Sequence, residues 1–185
     1  MDKKENQRVM LTKRLVKESL MRLLAHKSIY KLSIRELCED AGINRSTFYK
    51  YYGSQYDVLA EMEDELLSSI ETTLQNRNEH GSPGHRQQIE AICAYIENNM
   101  DYVQMLLGNN VDPAFPEKLF SLPQIQQIIL GQIPARYDDE SCDYIFTFIR
   151  NGCYHLLQDW IGRKDRKPFG EIANLLEELI EKICR

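Results

Sequence analysis

A short stretch of the chain, residues 44–51, concentrates side chains that can hydrogen-bond to phosphates and to the edges of bases. It holds two cations, Arg45 and Lys50, among amide, hydroxyl and phenol groups. Phe48 and Tyr52 lie four residues apart and share one face of a helix, which leaves the polar groups pointing outward. An arginine near the start of such a helix can donate two parallel hydrogen bonds to a guanine. The chemistry that this segment favours is recognition of nucleic acid.

Two short helices and a turn would position this segment. Ser33 followed three residues later by Glu36 is the capping-box pattern that starts a helix. Gly42 supplies the residue tolerant of positive φ that a tight turn requires, and Asn44 can cap the next helix, which is predicted to run to about Tyr51. Two helices joined in this way have the dimensions of a helix-turn-helix, whose second helix lies in the major groove of DNA.

Helical periodicity continues on both sides of these elements, and strand-like alternation is hard to find. A first helix is predicted over residues 11–26, and a long fourth helix from Ser54 to about Asn76 has an apolar stripe spaced by three or four residues. The stripe consists of Leu59, Met62, Leu66, Ile70 and Leu74. We therefore expect an all-α fold with a three-helix DNA-binding domain over residues 1–55, joined by the long helix to a helical domain over residues 56–185.

The second half of the chain predicts a linker, several short helical pieces and two strong terminal helices. Residues 80–84 contain two glycines and a proline, which cannot continue a helix, and four prolines divide residues 112–134. The terminal helices, over about 140–161 and 169–183, carry more apolar surface than a peripheral pair needs and predict a two-fold homodimer, with Gly152 at a close approach. The alternative is that one stripe faces only its own body. The residues of the predicted interface are Ile145, Ile149, Leu156, Trp160, Ile172, Leu176, Leu179 and Ile183.

Charge is distributed unevenly along the chain. The net charge is −5 overall, but residues 1–55 carry +6 and residues 56–185 carry −11. A basic end on an acidic body is drawn to a polyanion through that end only, whereas the alternative interpretation is a solvated charged face. The 185 residues are 43% hydrophobic and 28% charged, which sets aside collagen-like, disordered and disulfide-scaffold classes.

Neither a catalytic motif nor a metal-binding motif stands out. The five cysteines are odd in number and lack a CxxC spacing, and the four histidines are scattered, so no disulfide framework, metal or cofactor is expected. The sequence holds no glycine-rich phosphate loop and no nucleophile elbow, which argues against an enzyme. It opens without a hydrophobic signal stretch, and no apolar run approaches about 18 residues, so we expect a cytoplasmic protein with no membrane partner.

The first sixty residues resemble the TetR/AcrR family of bacterial transcriptional regulators. The resemblance rests on Leu32–Cys38, Ala41–Ile43, Ser46–Tyr52 and Ser54–Leu59, where hydroxyl, glycine and aromatic positions fall in register. The rest of the chain resembles the family in architecture, with a long linking helix, a divergent body and two strong terminal helices. The resemblance implies a homodimeric repressor that binds double-stranded DNA at a palindromic operator and is released by an unknown small-molecule effector.

The resemblance also implies roles for individual side chains. Ser33 would bind phosphate where its hydroxyl and the free N–H groups of the second helix converge, and Arg45, Ser46 and Lys50 would reach bases. Other positions would contact the DNA backbone or support these contacts. The full predicted DNA-binding set is Ser33, Arg35, Asn44, Arg45, Ser46, Thr47, Tyr49, Lys50, Tyr51 and Gln55.

Several of these assignments leave an alternative open. Tyr49 and Tyr51 could be core or boundary aromatics, and Lys50 a solvated charge. Gln55 stands where the family usually has lysine, so it brings no charge to a phosphate and leaves room for a TetR-like co-regulator that works through protein–protein interaction. A set of methionines and aromatics is a candidate effector pocket, with ordinary core packing as its alternative. The set is Met62, Leu66, Tyr95, Met100, Tyr102, Met105 and Phe120.

Overall fold

A computed structural model describes residues 3–78, 85–107 and 111–184 of the chain. All regular structure in these residues is helical, so the expected all-α fold is confirmed. A 3₁₀ turn (Ile29–Lys31) lies between the first two α-helices. The α-helices are α1 (Lys3–Leu24), α2 (Ile34–Ala41), α3 (Arg45–Phe48), α4 (Gln55–Asn78), α5 (His85–Asn98), α6 (Met100–Leu107), α7 (Phe115–Phe120), α8 (Pro123–Leu130), α9 (Asp139–Gly162) and α10 (Phe169–Cys184).

The chain divides into two compact units, residues 1–65 and residues 66–185. The division falls within α4, so this one helix contributes its first half to one unit and its second half to the other. The first unit extends ten residues beyond the boundary predicted at residue 55, and the functional division at that residue stays a prediction.

The first unit is a small helical head whose core comes from the predicted apolar faces. Val16 and Leu20 of α1, Leu37 of α2 and Phe48 of α3 have no exposed surface. Burying side chains of this size stabilises a fold by about 1.5–3 kcal/mol each. The short helices α2 and α3 therefore hold their positions through packing, since helices of four to eight residues are marginal in isolation.

Two helix boundaries in the head differ from the prediction. α1 begins at Lys3, eight residues before the predicted start. The prediction missed these residues because the first six are polar and show no apolar period. α3 ends at Phe48 rather than near Tyr51. Beyond it the backbone continues in tighter turns, in which the N–H of Tyr51 donates to the carbonyl of Phe48 at 2.9 Å.

The second unit is a larger helical body. Its terminal helices α9 and α10 begin and end within one residue of the predicted bounds, and a break at Asn99 separates α5 from α6. The proline-rich segment forms the short helices α7 and α8, each with a proline in its first turn. The predicted linker over residues 80–84 lies outside the described residues. No helix in the described part of the chain is long and apolar enough to span a membrane.

Candidate nucleic-acid interface

Ser33 occupies the N-cap position of α2, as the capping-box pattern predicts. Its hydroxyl oxygen accepts a hydrogen bond from the N–H of Glu36 at 3.2 Å. The carboxylate of Glu36 in turn accepts from the Ser33 N–H at 3.0 Å and from its hydroxyl at 2.9 Å. The cap satisfies two of the backbone donors that a helix start leaves open, and it fixes the angle at which α2 begins.

A lysine neutralises the carboxylate beside this helix start. The ammonium group of Lys27 lies 2.6 Å from Glu36. This hydrogen bond, followed by those from the backbone and hydroxyl of Ser33, lowers the pKa of Glu36 to about 2. Because Lys27 offsets the negative charge, the start of α2 keeps the positive end of the helix dipole available to an anion.

Gly42 makes the turn between α2 and α3. Its φ is +67°, in the left-handed region that L side chains rarely adopt. Its N–H donates to the carbonyl of Glu39, and the N–H of Ile43 donates to that of Cys38 at 3.0 Å, which closes the end of α2. The predicted helix-turn-helix is therefore present, with a glycine where the turn requires one.

The segment from Asn44 to Tyr51 presents its polar residues to solvent and buries one anchor. Phe48 is fully buried, whereas the neighbouring Tyr49 ring is 56% exposed and packs edge-on against Phe48 at 5.7 Å between centroids. The cations Arg45 and Lys50 are exposed and form no ion pair with the described carboxylates. The remaining predicted contacts divide into two groups by exposure: Asn44 and Ser46 are exposed, while Thr47 and Tyr51 are half-buried.

Two predicted contact residues are already engaged within the chain or set back from the surface. Arg35 is exposed, but its guanidinium pairs with Glu39 one turn later on α2 at 2.7 Å. Gln55 is half-buried in the first turn of α4. Asn44 takes the N-cap position of α3 without a side-chain capping bond.

The start of α4 is occupied by its own carboxylate. Asp57 accepts from the N–H of Gly53 at 2.7 Å and from the N–H of Ser54 at 3.1 Å. These donors are the ones a phosphate would use at a helix start, and the carboxylate would repel it. A phosphate at the start of α4 would therefore find no lysine at residue 55 and would be repelled by Asp57 two residues later.

Two exposed tyrosines, close in sequence to the starts of α2 and α4, were not part of the sequence prediction. Tyr30, in the 3₁₀ turn three residues before Ser33, is 68% exposed, and Tyr56, which follows Gln55, is 42% exposed. Their ring centroids lie 6.1 Å apart. No periodicity links residues 26 positions apart in sequence, so only the folded head brings this pair together.

Ion pairs link α1 to the first half of α4 within the head. Glu61 lies 2.8 Å from the ammonium of Lys13 and 2.7 Å from that of Lys17, which also pairs with Glu65. Burial raises the pKa of Glu61, but the hydrogen bonds from the two lysines outweigh it and lower the pKa overall. These pairs join the two longest helices of the head.

A helix-turn-helix head joined to a larger all-helical body defines a helix-turn-helix transcriptional regulator. Comparison with known families agrees. Residues 18–62 match the family model for bacterial regulatory proteins of the tetR family, and residues 85–182 match a model for the C-terminal region of transcriptional regulators, which alone covers more than half of the chain. The chain belongs to the TetR family of transcriptional regulators, a family of regulators rather than enzymes.

Similar proteins share this fold at low sequence identity. A TetR transcriptional regulator from Streptococcus agalactiae 2603V has a TM-score of 0.73 and 19% identity, with 96% of this chain and 97% of that chain covered. The dihydroxyacetone kinase operon activator DhaS has a TM-score of 0.59 and 13% identity, with 95% of this chain and 97% of that chain covered. Thermus thermophilus FadR, a TetR family transcriptional repressor in complex with lauroyl-CoA, has a TM-score of 0.58 and 16% identity, with 91% of this chain and 92% of that chain covered. An uncharacterized HTH-type transcriptional regulator of Bacillus subtilis, YxbF, is 20% identical over 90% of this chain, which spans 44% of that relative's length.

Proposed function

We propose that this chain is a homodimeric repressor that binds a palindromic operator through its helix-turn-helix and is released by a small-molecule effector. The observation that carries the DNA-binding part is the exposed polar segment from Asn44 to Tyr51, with two cations that no described carboxylate neutralises, beside the capped start of α2. Such a segment suits the major groove, where side chains read bases and a helix start binds phosphate.

The exposure of each side chain suggests how the DNA contacts divide. Arg45, at the start of α3, reads a base, and Ser46 and Lys50 lie on the same exposed segment. Ser33 and Tyr49 contact phosphates, whose recognition carries no sequence information. Secondary contacts with the DNA backbone come from the half-buried residues Thr47, Tyr51 and Gln55. Arg35, which pairs with Glu39, and the exposed Asn44 make further contacts of this kind.

An exposed apolar face on α9 and α10 supports the homodimer. Tyr144 and Phe148 follow one another at i and i+4 and are 67% and 64% exposed, and Gly152 continues the same line. Leu175 and Leu179 of α10 are each 39% exposed. Large exposed apolar side chains in contiguous rows are characteristic of an association surface. A second copy of this chain, related by a two-fold axis, is the occupant we propose.

Half of the predicted interface residues belong instead to the interior of the body. Ile149, Trp160, Ile172 and Leu176 are 5% exposed or less in the single chain. The proposed interface therefore retains the other four predicted residues, which are exposed or half-buried, and gains the exposed aromatic pair on α9. The retained residues are Ile145, Leu156, Leu179 and Ile183.

The fold does not determine whether the chain represses or activates transcription. Proteins with this fold include one described as a repressor and one described as an operon activator. We propose repression because an operator-bound dimer blocks transcription without a further partner. Gln55 and the adjacent carboxylate of Asp57 favour the second candidate, a co-regulator that acts by binding another protein, because both weaken a phosphate contact at α4.

Fluorescence anisotropy with the duplex found upstream of the chain's own gene tests this function. We expect saturable binding that weakens as salt rises, and a loss of about 1–3 kcal/mol for Arg45→Ala on that duplex. Arg163→Ala is the matched control, because Arg163 is also exposed and lies at the end of α9 in the body, paired with Asp159. Binding no stronger than to unrelated DNA would favour the co-regulator.

A further inference from the structure

A cavity in the second unit is lined almost entirely by hydrocarbon side chains. It contains about 830 Å³ of space free of protein atoms, part of it open to solvent. Of the nineteen described residues that line it, sixteen are valine, leucine, isoleucine or phenylalanine. They come from the second half of α4 and from every later helix, so the whole body contributes to its wall.

The seven sequence-derived pocket candidates coincide only in part with the lining of this cavity. Leu66 and Phe120 line it, but the other five candidates do not, and one of them, Met62, belongs to the first unit. The wall is formed instead by branched aliphatic residues. Ile128 of α8 and Ile96 of α5 are examples, both at least 96% buried.

The three remaining lining residues are two cysteines and a tyrosine. Burial raises the pKa of the Cys93 thiol to about 12 and that of the Cys153 thiol to about 11, so both stay neutral at physiological pH. The third is Tyr154, which is 5% exposed. No described lining residue carries a charge, so an ion placed inside would lose its hydration without a partner, at a cost of many kcal/mol.

We propose that this cavity is the effector site of the regulator and that the part of the effector it takes is an uncharged hydrocarbon chain or ring. A polar head group, where the effector has one, stays at the solvent-open side. The regulatory meaning of the site rests on the proposed function, whereas the chemical class of its ligand rests on the lining alone.

Calorimetric titration of the full chain, without DNA, with two probes of equal length tests the ligand class. 1-Decanol can leave its single hydroxyl at the mouth, whereas decane-1,10-diol must bury one hydroxyl among hydrocarbon side chains. We expect saturable binding of decanol with a negative heat-capacity change, the marker of apolar burial. The diol should bind about tenfold more weakly or worse. Equal affinities for the two probes would overturn the proposal.

A cavity-filling variant locates the binding site. Cys93→Leu places additional carbon atoms in the cavity and removes a thiol that the proposal does not use. We expect it to weaken decanol about tenfold while the far-UV circular dichroism stays unchanged. Val103→Leu, which fills the cavity from α6, gives a second test of the same kind. Cys142→Leu is the matched control, since this thiol lies in the first turn of α9 outside the cavity, and it should leave binding unchanged.

The outcomes separate this inference from the function on which it rests. If the chain binds its upstream duplex but not decanol, the ligand class is wrong and the DNA-binding function stands. If decanol binds, the filling variants weaken it and the duplex affinity is unchanged at saturation, the cavity is not the effector site. Decanol affinity that survives both filling variants would place the ligand elsewhere and overturn the assignment.

Discussion

Substitution of Ser33 separates two roles that one hydroxyl is proposed to play, capping α2 and meeting a phosphate. Ser33→Ala removes the bond that the hydroxyl accepts from the Glu36 N–H at 3.2 Å and the one it donates to the Glu36 carboxylate at 2.9 Å. The bond from the Ser33 N–H to that carboxylate remains possible. Loss of a serine N-cap costs about 1 kcal/mol, which lowers the Tm of a protein of this size by about 2–4 °C.

Ser33→Asp distinguishes the cap from the phosphate contact. Aspartate caps a helix about as well as serine, but here its carboxylate replaces a hydroxyl that lies 2.9 Å from the Glu36 carboxylate, so we expect a loss of about 1 kcal/mol in the free energy of unfolding, similar to that of Ser33→Ala. Its carboxylate would face the phosphate at the start of α2, and we expect DNA affinity to fall at least about tenfold. Ser33→Thr retains both functions and is the matched control, with expected stability and affinity close to those of the parent.

Urea denaturation and fluorescence anisotropy, run on the same three variants, measure the two roles independently. Because phosphate contacts carry no sequence information, the affinity loss should be the same on the upstream duplex and on unrelated DNA. If Ser33→Asp binds both duplexes as tightly as the parent, the start of α2 does not meet a phosphate. The capping role would stand in that case, since it rests on bonds within the chain.

Three further predictions concern the recognition segment, the head and the proposed dimer. Arg45→Ala should lose about 1–3 kcal/mol of binding free energy on the preferred duplex and relax specificity at one base pair per half-site. Tyr49→Phe should weaken binding to all sequences alike. Equal sequence preferences of the two variants in a binding-site selection would refute the division of roles. Glu61→Gln removes two ion pairs of the head and should cost about 1 kcal/mol in urea unfolding. Because the pKa of Glu61 is lowered on folding, this contribution is present above pH of about 4.3 and lost on further acidification, so parent and variant should converge in acid. Phe148→Glu should give monomers in sedimentation at micromolar concentration, while Leu130→Glu, at a 46% exposed leucine of α8, should leave the dimer intact; a parent that is already monomeric would contradict the dimer.

The predictable parts of the structure are those whose signals are local. The capping box at Ser33, the left-handed glycine at residue 42 and the stripe along α4 each depend on residues within a few positions of one another. All five stripe residues are buried, as their spacing predicts. The full length of α1 could not be predicted in this way, because residues 3–8 are all polar and Val9 and Met10 alone do not establish a helical period.

Features that depend on packing between distant helices escaped the sequence analysis. On α9 the predicted stripe placed Ile149 and Trp160 on the outside, whereas the exposed line runs through Tyr144 and Phe148. Both lines have helical spacing, and aromatic residues occur in cores and interfaces alike, so composition does not choose between them. The cavity wall also depends on packing between distant helices, because seven helices supply its residues. No single segment of the sequence identifies which isoleucines face inward.

A final prediction concerns the coupling between ligand and DNA, and it follows from thermodynamics once both bind. α4 contributes residues 55–65 to the head and residues 66–78 to the body, so it is the one helix that belongs to both units. If saturating decanol weakens the upstream duplex tenfold, saturating duplex must weaken decanol tenfold, a coupling of 1.4 kcal/mol in each direction. Calorimetric titration of decanol into the chain, alone and saturated with duplex, measures one direction, and anisotropy with and without decanol measures the other. Duplex of scrambled sequence, at a concentration that does not saturate the chain, is the control. Decanol affinity that is the same in free and duplex-saturated protein would show that this ligand does not regulate DNA binding, however tightly it occupies the cavity.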